Sequence, residues 1–279
     1  MHILPPISHG METRVKKFPQ ITIAFWVMKI CATTLGETVG DLFSMTMHIG
    51  YAVSSLILIG LFLASVVAQL FSKKYHPFLY WTVILSTSTA GTTMSDYMDR
   101  TLQLGYVRGT GLLLAILLGI FLLWRLSKAP LSVKDIKTFR VEMLYWTAIL
   151  FSNTLGTAMG DFLSDSSHLG FAGGVLLVSS LLVLIVLCHF FTKIPKTLLF
   201  WIAFVLTRPF GAELGDLLTK THDKGGFGFG TIGSSLILGA ILIVFIIGTR
   251  RSIITDEAKS ASDEKEPLIS IGAGPLSHP

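Results

Sequence analysis

A tryptophan followed ten residues later by a glycine and fifteen residues later by an aspartate occurs four times in this chain, each time inside an apolar stretch. The sets are Trp26/Gly36/Asp41, Trp81/Gly91/Asp96, Trp146/Gly156/Asp161 and Trp201/Gly211/Asp216, and a further glycine follows nine residues after each aspartate, at Gly50, Gly105, Gly170 and Gly225. A repeat of this length confines the fold to similar units packed side by side. The tryptophans stand 55, 65 and 55 residues apart, so the chain reads as two similar halves of two units.

Composition places the units in a lipid bilayer. With 51% hydrophobic and 14% charged residues, a soluble domain of 279 residues would lack polar surface. Apolar stretches recur near 21–40, 52–71, 78–97, 109–126, 143–162, 171–191, 198–218 and 231–248. Each is close to the ~20 residues that cross ~30 Å of hydrocarbon as a helix. The predicted fold is an all-α integral membrane protein of eight transmembrane helices, built from four tandem parallel two-helix repeats. The segments are 1–20 (cytoplasmic), 21–71, 77–127, 141–191 and 197–249 (the repeats), and 250–279, a polar cytoplasmic tail expected to be disordered.

Charge predicts orientation. Arg14, Lys16 and Lys17 precede the first span, and most other cations, from Lys73 and Lys74 to Arg250 and Arg251, follow even-numbered spans. The opposite side holds Arg100, Arg108, Lys220 and Lys224. The positive-inside rule then puts both termini in the cytoplasm. Topology thereby accounts for the net charge of +5, and no nucleic-acid partner is expected. Cys31 and Cys188 lie within predicted helices and offer neither a disulfide framework nor a zinc spacing.

Polar residues concentrate on the odd-numbered helices. Three, seven, eleven and fifteen residues after each tryptophan stand Lys29/Thr33/Glu37/Asp41, Ile84/Ser88/Thr92/Asp96, Ile149/Asn153/Thr157/Asp161 and Phe204/Arg208/Ala212/Asp216. Steps of four keep each set on one helix face. Since every unit has two spans, the odd helices run parallel, and the economical bundle turns their stripes inward and leaves the even helices against lipid. The tryptophans would then mark the cytoplasmic interface and the aspartates the outer end, ~22 Å away.

An ionisable group deep in the bilayer costs at least ~2.5 kcal/mol unless paired or hydrated. Lys29, Arg208, Glu37 and Glu213 are such groups, so Lys29 with Glu213, or Arg208 with Glu37, are the expected pairs across the centre. Together with Thr33 and Asn153 they form the candidate substrate site. Pro209 frees a carbonyl beside it. The aspartates read equally as ligands or as N-caps of short outer helices after the glycines. Asp41, Asp96, Asp161 and Asp216 with His48 and His168, seven residues beyond Asp41 and Asp161, make the candidate metal ligands.

Four two-helix units, each with a Phe/Tyr-Trp pair and ending Gly-x-x-x-Gly-Asp or, in the second, Gly-x-x-x-Ser-Asp, resemble a family of bacterial membrane proteins whose repeat is known as domain of unknown function 347. The resemblance covers about 25–230 and implies a bacterial inner-membrane protein without assigning a substrate. The residues themselves predict a gradient-driven carrier, in the exporting direction or the reverse, of a small cation, a divalent metal first. The aspartates would attract the cation, and Glu37 and Glu213 would bind it or exchange protons. One alternative is an anion or small-solute carrier using Lys29 and Arg208; another is a scaffold or sensor. No enzyme is expected, since no nucleophile–base pair, phosphate loop or zinc cluster occurs. No cofactor is expected, a metal ion being substrate; the partners are the lipid bilayer and a small ion or solute, and a homo-oligomer stays open.

Overall fold

A computed structural model describes residues 18–271 apart from 73, 130, 132–135 and 137. Among these the chain forms eight long helices: α1 (Ile23–Asp41), α2 (Tyr51–Phe71), α3 (Pro77–Asp96), α4 (Tyr106–Leu126), α5 (Phe139–Asp161), α6 (Gly170–Phe191), α7 (Lys196–Thr219) and α8 (Thr231–Ile271). Starts follow local chemistry. The hydroxyls of Thr22 and Thr138 accept from the Phe25 and Val141 amides, and Pro77 opens α3 where no amide donor is needed.

The odd helices form a ring: α1 packs on α3 and α7, and α5 packs on the same two. Each even helix lies chiefly on the odd helix of the next unit, α2 on α3, α4 on α5, α6 on α7, and α8 back on α1. Ser65 meets Ser86 at 2.9 Å across α2 and α3, and Ser235 donates to Thr38 at 2.8 Å where α8 closes the circle on α1. Each unit is thus clasped by its predecessor.

Glycines set the ring's register. A Cβ on Gly36 would strike Ser88, one on Gly91 would strike Asn153, one on Gly156 would strike Arg208, and one on Gly211 would strike Thr33. In every unit the glycine ten residues after the tryptophan therefore seats the residue seven after the tryptophan of the next unit. One turn further, Gly40 seats Thr92, Gly160 seats Ala212 and Gly215 seats Glu37. Removing the side chain lets backbones approach closely, as in small-xxx-small contacts of membrane helices.

Five helices, α2, α4, α6, α7 and α8 to Ser252, are long and apolar enough to cross a membrane. Their outer faces are apolar: Leu56, Leu118, Leu176, Val183, Leu236 and Val244 are all more than half exposed. Lower apolarity in α1, α3 and α5 comes from their buried polar stripes, Glu37, Thr92 and Asn153 among them.

Two expectations change. Expected at the cytoplasmic interface, three of the four repeat tryptophans are buried in the protein, and Trp26 is half-buried. The buried three, Trp81, Trp146 and Trp201, build an aromatic plug with Phe25, Tyr80, Trp124, Tyr145, Phe200 and Phe204 at the N-terminal ends of the odd helices. Edge-on contacts such as Tyr145 to Trp146 at 4.9 Å and Trp124 to Trp201 at 5.6 Å knit it together. The Tyr80 and Tyr145 hydroxyls share a hydrogen bond of 3.0 Å, and the Trp201 indole donates to the Leu131 carbonyl at 2.8 Å. The chain is also helical to Ile271, well into the segment expected to be disordered; residues 255–266 supply Ala, Lys and Glu, good helix formers, without glycine or proline. Arg14, Lys16 and Lys17 lie outside the described residues.

Candidate functional site

The stripe residues meet in the ring. Arg208 is fully buried, and its guanidinium donates to the Glu37 carboxylate at 2.9 Å, to Thr92 Oγ1 at 2.5 Å and to Thr157 Oγ1 at 2.7 Å. Thr92 also donates to Glu37, at 3.2 Å. Four helices thus contribute to one knot: α7 the guanidinium, α1 the carboxylate, and α3 and α5 a threonine each. Of the two expected pairs, this is the one that forms. Its position in α7 seats the Cβ and Cγ of Arg208 against Gly156, and Gly215 gives Glu37 room.

Lys29 and Glu213 do not meet. The Lys29 ammonium is buried without a hydrogen-bond partner and stands 4.1 Å above the centre of the Phe204 ring. Phe204 occupies the position in α7 that Lys29 occupies in α1, so the two columns face one another where a carboxylate was expected. Glu213 turns outward to Gly174 of α6, and neither carboxylate oxygen has a hydrogen-bond partner. Its place, twelve after the tryptophan, is one beyond the inward stripe. Of the other candidates, Asn153 donates to Thr87 at 2.8 Å, and the Thr33 hydroxyl donates to the Thr207 carbonyl at 3.1 Å, two residues before Pro209. Both are knitted into helix packing.

Beyond the knot lie the four aspartates, all buried. They are not caps. α1, α3 and α5 run through their glycines to the aspartate and into a π-helical turn (Leu42–Thr46, Tyr97–Thr101, Phe162–Ser166), with no side-chain cap bond at Asp41, Asp96 or Asp161. Asp216 lies within α7. Instead they hold cations that went unassigned in the sequence. Lys220 contacts Asp41 at 2.5 Å and Asp216 at 3.1 Å; Arg100 contacts Asp96 at 3.0 Å and Asp161 at 3.7 Å. The two cations occupy one repeat position, four after the aspartate, in the second and fourth units; the first and third have Met45 and Asp165 there. That i,i+4 signal was present in the sequence.

Burial works against charge at both cations, yet their carboxylates outweigh it. Asp216 and Asp41 lift the Lys220 ammonium above its ordinary value, and Asp96 and Asp161 lift Arg100. Five carboxylates, Glu37 and the aspartates, thus face three cations, Arg208, Arg100 and Lys220. The set is two positive charges short. Oxygens of Glu37, Asp41 and Asp216 all lie within 4.8 Å of one another, a spacing that could hold a metal ion. A cavity of about 360 Å³, lined by Arg100, Asp161, Asp216, Lys220, Met45 and Phe171 among others, adjoins them.

The histidines are not brought to the aspartates. His48 and His168 are exposed and join no acidic cluster of three among the described residues. Their common feature is backbone: His48, Gln103 and His168 have φ of 54°, 55° and 59°, each two residues before a left-handed glycine, Gly50, Gly105 or Gly170. The column is a turn position. In the fourth unit Gly230, not Gly225, immediately precedes its helix, with φ 73°.

Four stretches of the chain, 24–75, 79–129, 144–194 and 199–253, match the family described as Repeat of Unknown Function (DUF347), and the chain belongs to that family. No curated protein and no solved structure matches it.

Proposed function

We propose that this member of the DUF347 repeat family is an eight-span carrier of the bacterial cytoplasmic membrane that moves a small cation, a divalent metal ion first, down or against an ion gradient. Both termini are cytoplasmic, the aromatic plug facing the cytoplasm and the acidic end facing out. Supporting the eight spans, α1, α3 and α5 have 19, 20 and 23 residues, close to the ~20 that cross a bilayer, and are wrapped by the even helices, so their polar stripes need not meet lipid. Supporting the orientation, Lys74, Arg125, Lys128, Lys193, Lys196, Arg250 and Arg251 lie at the plug end.

One observation carries the reading: five buried carboxylates on three cations beside a cavity, with Glu37, Asp41 and Asp216 close enough to share an ion. A divalent cation or two protons would balance the set. Lys220 acts as a tethered competitor at Asp41 and Asp216, and an arriving ion takes its place. The anion alternative is less favoured, because the Nη2 group of Arg208 is already turned to Glu37, Thr92 and Thr157. The scaffold alternative gains from the same knot, a buried hydrogen-bonded network that ties four helices together. The test is Mn²⁺ movement across proteoliposomes containing the full chain. Glu37→Gln or Asp216→Asn abolishes it under this reading; flux equal in wild type and in the Glu37→Gln and four Asp→Asn variants removes the reading.

A further inference from the structure

The outer end of the ring is built twice. Lys220 bridges Asp216 of its own unit and Asp41 of the next unit round the ring, at 3.1 and 2.5 Å. Arg100 bridges Asp96 of its own unit and Asp161 of the next, at 3.0 and 3.7 Å. A step of two units along the repeat turns one arrangement into the other: Asp216 becomes Asp96, Asp41 becomes Asp161 and Lys220 becomes Arg100. The cluster of Glu37, Asp41 and Asp216, spaced to hold a metal ion, therefore has a counterpart at Asp96 and Asp161.

The counterpart has ligand character of its own. Asp96 and Asp161 are 2% and 6% exposed, and Asp161 lines the outer cavity with Arg100. Asp161 Oδ1 faces the guanidinium, whereas its buried Oδ2 has no hydrogen-bond partner among the described residues. A carboxylate oxygen withdrawn from water without a donor is unfavourable, and a bound cation would offset that cost. Thr157 stands at the place of Glu37, and its hydroxyl already accepts from Arg208 at 2.7 Å. Asp165 stands at the place of Met45 and lines the same cavity, so this half also counts three carboxylates.

The two cations are held differently. Arg100 lies in the π-helical turn Tyr97–Thr101, with Nε on Asp96, Nη2 towards Asp161 and Nη1 donating to the Tyr51 hydroxyl of α2 at 3.3 Å. Lys220 is the first residue beyond α7, on extended backbone, and its ammonium meets the two carboxylates and the Met45 sulfur at 3.8 Å. A guanidinium is a planar fork fixed through several donors at once; an ammonium is a compact charge on a flexible stem, which another cation can replace at the same oxygens. We propose that Asp96 and Asp161 form a second divalent-cation site, with Asp165 beside it on the cavity, and that Arg100 closes this site as a built-in cation. Each chain then carries one exchangeable ion, in the half that has the lysine. The one-ion count rests on the cation reading above; the closed site does not.

Calorimetric titration of Mn²⁺ into the purified full-length protein counts the sites. Wild type is expected to bind one ion, and Arg100→Met doubles the bound Mn²⁺. In Asp216→Asn, which removes the first site, no ion is expected until Arg100→Met is added, which brings one back. Further addition of Asp96→Asn loses that ion again, and its persistence would place it elsewhere and overturn the proposal. Should Arg100→Met fail to fold, Arg100→Lys, which copies the fourth unit, decides in its place and is expected to gain the second ion as well. A count of one in both wild type and the Arg100 variants overturns the second site and leaves the cation reading standing. No binding by wild type with one ion in Arg100→Met overturns the cation reading and upholds the closed site. No binding by either overturns both.

Discussion

Gly156 and Arg208 fit together as socket and stem: the space a side chain would fill at 156 holds the Cβ and Cγ of Arg208. A Cβ on Gly156 would also stand 3.0 Å from Pro209 Cδ, a ring atom inside α7 that cannot rotate aside. Overpacking of this kind costs ~1–3 kcal/mol. Gly156→Ala should lower the midpoint of thermal unfolding in detergent by several degrees. Gly60→Ala, where a Cβ would meet nothing within 4 Å, is the control and should leave it unchanged.

Removing either half of the Arg208–Glu37 pair leaves the other charged, buried and unpaired. Such breaks cost ~3–5 kcal/mol, whereas removal of both partners is often nearly neutral. Arg208→Gln and Glu37→Gln should each destabilise strongly, and the double variant should cost much less than their sum. Reversible unfolding in mixed micelles measures the cycle. Additive costs would show that the pair is not coupled.

Much of this was legible in the sequence, for physical reasons that can be named. The Trp, Gly and Asp columns recur at a helical period, so units and inward stripes follow. Arg208 with Glu37 follows because a buried charge needs a partner. What stayed hidden depends on neighbours. A tryptophan at a helix end suits a lipid interface and an aromatic core equally, and only the clasp of α4 on α5 brings Trp124 over Tyr145 and Trp201. Lys29 and Glu213 share the right charges and depth, but Glu213 falls one residue off the stripe and turns to α6. Arg100 and Lys220 look like loop charges until the aspartates above them converge.

Lys220 gives the outer end its pH dependence. Its ordinary value is 10.5, and in the folded chain Asp216 and Asp41 hold it higher, against burial. A base with a raised folded value stabilises fully below its unfolded value and loses that contribution as pH rises through the folded one. The stability difference between wild type and Lys220→Met should therefore stay constant from about pH 7 to 9 and shrink above about pH 10.5. Melting midpoints across this range check the sign; a difference that grows with pH would refute it.

At His48 and His168 the backbone, not the imidazole, sets the requirement. A left-handed residue costs roughly 1–2 kcal/mol for most side chains and nothing for glycine. His48→Gly and His168→Gly should be neutral or slightly stabilising and should leave Mn²⁺ binding intact. His168→Val should destabilise by about 1–2 kcal/mol. Isothermal titration with Mn²⁺ beside thermal unfolding separates the two effects, and Mn²⁺ affinity lost in the glycine variants would restore the histidines as ligands.

Lys29 and Arg208 are both buried cations, and their substitution should act in opposite directions. Arg208 is held by a carboxylate and two hydroxyls, so its loss strands Glu37. Lys29 has an aromatic face and no hydrogen-bond acceptor. A cation–π contact of ~2 kcal/mol when desolvated returns only part of what burying an ammonium costs. Lys29→Met keeps the length of the side chain, keeps contact with Phe204 and removes the charge. It should raise the melting midpoint, while Arg208→Met lowers it. If transport under the cation reading needs that charge as a barrier above the plug, Lys29→Met will also leak Mn²⁺ across proteoliposomes with no gradient of protons. A stabilised, leak-free variant would assign Lys29 to packing alone, and a destabilised one would mean that an acceptor for its ammonium exists in the folded protein.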